Sequence, residues 1–118
     1  MKTVQMLYDE SIEILKKTYL KQKTGYVEAV KNIAFADTNY KSVKAMISRK
    51  LDTGGLSKTA LKDVVAGHVE VIDAEDKLNK WKSQKEIKMA EMKYIEHEIN
   101  LNKKLMDSII SEIKYMGN

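Results

Sequence analysis

The strongest chemical bias in this sequence is carried by its lysines. Between Ile14 and Lys50 stand Lys16, Lys17, Lys21, Lys23, Lys31, Lys41, Lys44, Arg49 and Lys50 against only Glu28 and Asp37, a local net charge of +7. Lys58 and Lys62 continue the run beyond Gly54-Gly55, whereas residues 59–118 hold ten lysines and eleven acids. Clustered ammonium groups interleaved with Tyr19, Tyr26 and Tyr40 suit a phosphate backbone with bases stacking beside it. The same tyrosines fall on an apolar helical spacing, which reads first as packing, and the lysines read equally well as a solvated face. A second basic group, Lys77, Lys80, Lys82, Lys85 and Lys88, surrounds Trp81. Trp81 itself reads as a core anchor before it reads as a stacking platform.

Catalytic chemistry finds little to work with. His68 and His97 are too distant to share a helical face and match no zinc-binding spacing, so each reads as a solvated helix histidine. Glu96 and Glu98 flank His97, but adjacent helix positions diverge by about 100° and do not form one ligand set. The chain has no cysteine, which excludes disulfides, thiolate nucleophiles and cysteine-ligated zinc. No glycine-rich phosphate loop is present; Gly54-Gly55 reads as a turn. We expect no enzyme, no metal and no cofactor.

The elements that must position the lysines are long helices. With no proline and 32% charged residues, the composition is that of extended helical proteins. From Ala60 onward an a/d spacing runs through Val64, Gly67, Val71, Ala74, Leu78, Trp81, Lys85, Lys88, Met92, Ile95, Ile99, Asn102, Met106, Ile109, Ile113 and Met116 without a slip, which predicts one unbroken helix over about 57–116. The first half repeats it through Tyr8, Ile12, Leu15, Tyr19, Gln22, Tyr26, Ala29, Ile33, Ala36, Tyr40, Val43 and Ile47, a helical arm over about 4–51. Two places could interrupt that arm: Gly25, at a cost of up to about 1 kcal/mol, and Asp37-Thr38-Asn39, which could cap a fresh start. Leu51-Asp52-Thr53-Gly54-Gly55 is the turn (52–56), with Ser57 placed to cap the next helix.

Folding there predicts an all-α, single-domain antiparallel hairpin, a long coiled coil spanning 1–118. Its opposed layers are Tyr40 with Gly67, Ala36 with Val71, Ile33 with Ala74, Ala29 with Leu78, Tyr26 with Trp81, Leu15 with Met92 and Ile12 with Ile95. The polar breaks also meet, Gln22 opposite Lys85 and Gln5 opposite Asn102. If Lys85 and Lys88 point inward, either the helices splay there or the ammonium groups reach an anionic ligand or a neighbouring chain. Beyond about Lys103 the seam has no partner within the chain, and apolar residues beside it (Leu20, Val27, Val30, Ala34, Phe35, Val65, Val69, Ile72, Leu101, Leu105, Ile110) form a second stripe. We therefore expect a homo-oligomer assembled through Leu101, Leu105, Met106, Ile109, Ile110, Ile113 and Met116.

The run Lys58-Thr59-Ala60-Leu61-Lys62-Asp63-Val64-Val65, continued by Val71-Ile72, Leu78 and Trp81, resembles the corresponding segment of the phage recombination mediator UvsY family. Arg49-Lys50-Leu51-Asp52 before Gly54-Gly55 is similar to that family's basic, Leu-Asp, glycine-loop sequence, although Ser48 stands where a basic residue would be expected. The resemblance covers about a third of the chain. It implies an oligomeric helical assembly that binds single-stranded DNA and helps load a recombinase onto DNA covered by single-strand-binding protein. Arg49 and Lys50 are the binding residues it implies.

The leading expectation is thus a non-enzymatic single-stranded DNA-binding accessory protein of recombination or replication. Its contacts would come from Lys16, Lys17, Lys21, Lys23, Lys41, Lys44, Arg49, Lys50, Lys58 and Lys62, with Lys80, Lys82, Lys85 and Lys88 as a second basic cluster. The alternative is a small phage or mobile-element adaptor or inhibitor that offers its apolar helix faces to a host protein. Lys2 is followed by no apolar run before Asp9, and no stretch approaches a membrane span. We expect a cytoplasmic protein, in the host cytoplasm if phage-encoded, with no membrane partner.

Overall fold

The computed structural model describes residues 3–52 and 54–116, so the readings made at Lys2 and Thr53 lie outside the described residues. Helices α1 (Val4–Leu51), α2 (Lys58–Ala66) and α3 (Val69–Met116) make up nearly all of them, and no strand occurs among them. The expected all-α helical hairpin is the architecture found.

Neither candidate break interrupts α1. Thr24 and Thr38 donate their hydroxyls to Leu20 O and Ala34 O, each at 3.0 Å, so these side chains are satisfied inside the helix. Asp37 does not cap a new helix; it pairs with Lys41 one turn on, at 2.9 Å. Gly25 has a packing reason rather than a conformational one. A Cβ there would lie 3.0 Å from Lys88 Cε and 3.3 Å from its Cδ, so the missing side chain is the space taken by the lysine stem. The Lys88 ammonium then donates to Gln22 Oε1 at 2.9 Å. This answers the inward-lysine question for Lys88: its stem covers apolar surface and its head finds an uncharged acceptor within the chain. We expect Gly25→Ala to leave stability nearly unchanged in chemical denaturation, because a helix-propensity gain of about 1 kcal/mol is offset by displacing that lysine. In a Lys88→Ala background the same substitution should show the full gain.

Asp52 Oδ1 accepts from Gly54 N at 3.2 Å, and Gly54 takes φ 79°, the left-handed conformation that favours glycine. Ser57 caps α2 as expected, its side chain accepting from Ala60 N at 3.2 Å.

The single helix expected over 57–116 is two helices. α2 ends at Ala66, where Gly67 N–H donates to Asp63 O and His68 N–H donates to Val65 O, each at 3.1 Å, and α3 starts at Val69. His68, read from sequence as a solvated helix residue, is the N-cap of α3: Nδ1 accepts from Glu70 N at 3.2 Å and its carbonyl from Ile72 N at 3.0 Å. Gly67 is right-handed (φ −86°), so the break needs no special backbone. It follows from a poor helix former beside a residue whose side chain competes for the next helix's N–H groups. Replacing His68 by alanine should destabilise the fold by about 1 kcal/mol in urea unfolding, and by asparagine considerably less.

The break also corrects the seam. An unslipped heptad would bury Val64, yet Val64 is exposed and Val65, assigned to the outer stripe, is buried with Ile47 and Val71. Val65 and Val71 are six residues apart and would diverge by roughly 120° on one helix. They meet because the chain changes direction between them. Elsewhere the spacing is respected: every seam position of α1 is buried or half-buried, as are Val71, Ala74, Leu78, Trp81, Ile95 and Met106 on α3.

The fold divides into two compact units, residues up to Gly25 with those from Ile87 onward, and Tyr26–Glu86. In the second, Tyr40, Val43, Leu51 and Leu61 pack around Ile47, Val65 and Val71. In the first, antiparallel partners are shifted by about one turn or more from the expected layers. Gln22 meets Lys88 rather than Lys85, Tyr19 reaches Glu96, and Gln5 bonds along its own helix to Asp9 at 3.0 Å while Asn102 bonds to Glu98 O at 2.8 Å. As a consequence Met106, expected to lack a partner, is buried in a groove it shares with Val4, Leu7 and Tyr8. The expected layers assumed a fold centred on the glycines, and a register set by side-chain volume alone tolerates such a shift.

Candidate nucleic-acid interface

Four of the ten expected contact residues converge. Lys41, Lys44 and Ser48 follow one another at three- and four-residue steps and so share a face of α1, and Lys58 and Lys62 do the same on α2. Together with Ala45, Leu61 and Val65 they line an open cleft of about 440 Å³ within the second unit. Its floor is aliphatic and its rim is cationic, since lysine stems can lie along apolar surface while the heads stay in water.

The helix break is what turns α2 into a wall of this cleft. Had Ala60 and Val64 faced the core, Lys58 and Lys62 would point roughly 140–180° away from α1. With Leu61 and Val65 inward, both lysines flank the buried edge, roughly 40–80° from it, and face the α1 lysines. Lys41 is tied to Asp37. Lys44 stands 5.5 Å from the centre of the Tyr40 ring, while Lys44, Lys58 and Lys62 make no ion pair among the described residues.

The other expected contacts lie elsewhere. Arg49 and Lys50 occupy the last turn of α1, where positive charge favours the helix end, and Arg49 Nε donates to Ala45 O at 3.5 Å. They are exposed and do not line the cleft. Lys16, Lys17, Lys21 and Lys23 are exposed on α1 in the first unit, and Lys16 borders a shallow hollow with Asp9, Ile12 and Glu13, where carboxylates dilute the positive field. In the second basic cluster Lys77, Lys80 and Lys82 are exposed, Lys85 is half-buried and Lys88 is engaged with Gln22.

The tyrosines pack, as their spacing implied. Tyr40 lies against the Ile47, Val65 and Val71 cluster, Tyr26 is half-buried, and Tyr19 donates to Glu96 Oε1 at 3.1 Å. That hydrogen bond, with desolvation and the carboxylate's charge adding, holds the Tyr19 phenol above its ordinary 10.0. A raised folded-state value means the contribution to stability is complete below pH 10 and fades as pH rises through the folded value. Absorbance titration should therefore show one late-ionising tyrosine, missing from Tyr19→Phe.

Sequence reasoning missed Ser48, Ala45, Leu61 and Val65 as parts of the site. The face shared by Lys41, Lys44 and Ser48 was readable, but nothing in the residue spacing announced that Leu61 and Val65 face inward. No described helix is long and apolar enough to cross a membrane. Compared with protein-family models, curated proteins and solved structures, the chain matches none.

Proposed function

We propose that this chain is a non-enzymatic accessory protein that binds single-stranded nucleic acid through the cleft between α1 and α2 and works as a homo-oligomer. The observation that carries the reading is the convergence of Lys44, Lys58 and Lys62, none of them in an ion pair among the described residues, on one face. Ammonium groups in that arrangement neutralise successive phosphates and release their counterions, so binding falls steeply with salt and shows little sequence preference. The similarity of residues 49–65 to the recombination-mediator family supports a role in recombination or replication, with a recombinase or single-strand-binding protein as partner. Titrating a fluorescent oligonucleotide at several salt concentrations tests this directly. No retention at low salt would refute it.

Assembly is supported by the end of α3. Ile109 is the last α3 residue in the groove with Val4, where α1 begins, and beyond it Ile113, Tyr115 and Met116 are 58%, 87% and 86% exposed. Leu105 is exposed beside them, Leu101 and Ile110 are exposed on opposite faces of α3, and Met106 is already covered and drops out of the expected interface. This surface also favours a second reading, an adaptor or inhibitor that docks it on a host protein. Removing residues after Glu112, which spares the buried Met106 and the groove-lining Leu105 and Ile109, separates the two, since only nucleic-acid binding survives if that surface serves a protein partner.

A further inference from the structure

The floor of the lysine cleft is chemically unsuited to a phosphate. Val65 is 3% exposed and the walls beside it are Ala45 and Leu61, so a strand docked by its backbone alone would bring charge to the rim and leave the apolar floor wet. A ligand that uses both parts has an uncharged flat body with anions on either side. We propose that the cleft seats one unpaired base of the bound strand, with the flanking phosphates held by Lys44, Lys58 and Lys62; this rests on the nucleic-acid reading above.

Three features support it. The volume of about 440 Å³ is ample for a single base and lies within the range of small-molecule pockets. The lysines come from both walls, so phosphates before and after the base each meet one. The half-buried Ser48 supplies a hydroxyl that can donate or accept at a base edge. No aromatic ring lines the cleft, so the base is held by aliphatic contact, which discriminates weakly among the four. The arrangement also gives a physical origin for single-strand preference, because the faces of stacked, paired bases in a duplex cannot enter.

The test compares an oligothymidylate with an abasic strand of equal length and phosphate number, binding each to the full chain and to Ala45→Met. Ala45 is exposed on α1, and methionine fills the cleft without altering charge or helix propensity appreciably. The intact strand should bind at least about fivefold more tightly than the abasic one to the native chain, the effect of removing some tens of Å² of apolar surface from water. In Ala45→Met that ratio should approach one through loss of the intact strand alone. If that variant loses its helical circular dichroism, Ser48→Met, one turn further along the same α1 wall, fills the cleft instead and answers the same question. Equal binding of the two strands by the native chain overturns the base-seating inference while leaving the nucleic-acid reading intact. Binding of neither strand removes both.

Discussion

Replacing Lys44, Lys58 and Lys62 together by alanine is expected to weaken single-stranded oligonucleotide binding about a hundredfold near 0.1 M salt. Each phosphate contact with a single strand contributes about 0.7 to the slope of log affinity against log salt, so three lost contacts remove roughly two units. Projected from 1 M to 0.1 M salt, that is about two decades of affinity. A matched triple, Lys16, Lys17 and Lys21 to alanine, removes the same charge from a stretch of α1 that does not line the cleft. It should cost far less, through the general field only. Equal losses in the two triples would mean that bulk positive charge, and not the cleft, governs binding. Stability should be spared in both, since none of these residues is buried and none makes an ion pair among the described residues. Circular dichroism provides that control.

Introducing glutamate at both Ile109 and Ile113 is expected to dissociate the proposed homo-oligomer into single chains of 13.5 kDa by sedimentation. Burying an isoleucine side chain contributes about 1.5–3 kcal/mol, so two carboxylates in place of two such residues on each chain remove several kcal/mol from the contact. Several kcal/mol is about three to four decades in dissociation constant, and burying the new charge would add to the loss. The fold should survive, because Ile113 lies past the groove formed with α1, Ile109 is already 38% exposed, and glutamate is a good helix former. A native chain that sediments as a stable monomer would remove the homo-oligomer from the proposal and leave the apolar surface to a different protein. Single-strand binding by the dissociated variant then reports whether one cleft suffices or whether several must act on one strand, where avidity sets the apparent affinity.

The seam of α1 was readable because heptad spacing reports helical faces directly: all twelve positions assigned inward, from Tyr8 to Ile47, are buried or half-buried. The turn was readable too, since Gly54 requires a left-handed backbone and Ser57 is a strong capping residue. The bias of charge toward α1 is likewise a matter of counting. By itself the sequence thus determined the helical class, the position of the bend and the identity of the basic arm. Only the tertiary structure decided the rest. Gly67 was the one residue of the long seam able to stop the helix, but a continuous heptad through it favoured one piece, because the cap depends on His68 finding Glu70 N in a bent backbone. That bend rotates α2 so that Val65 replaces Val64 in the core and carries Lys58 and Lys62 around to face Lys41 and Lys44. The register, with Lys88 reaching Gln22 over Gly25, was equally hidden. Periodicity states which side of a helix is apolar. It does not state how two helices slide along each other or turn about their axes, and at those points small differences in packing and capping energy outweigh the pattern.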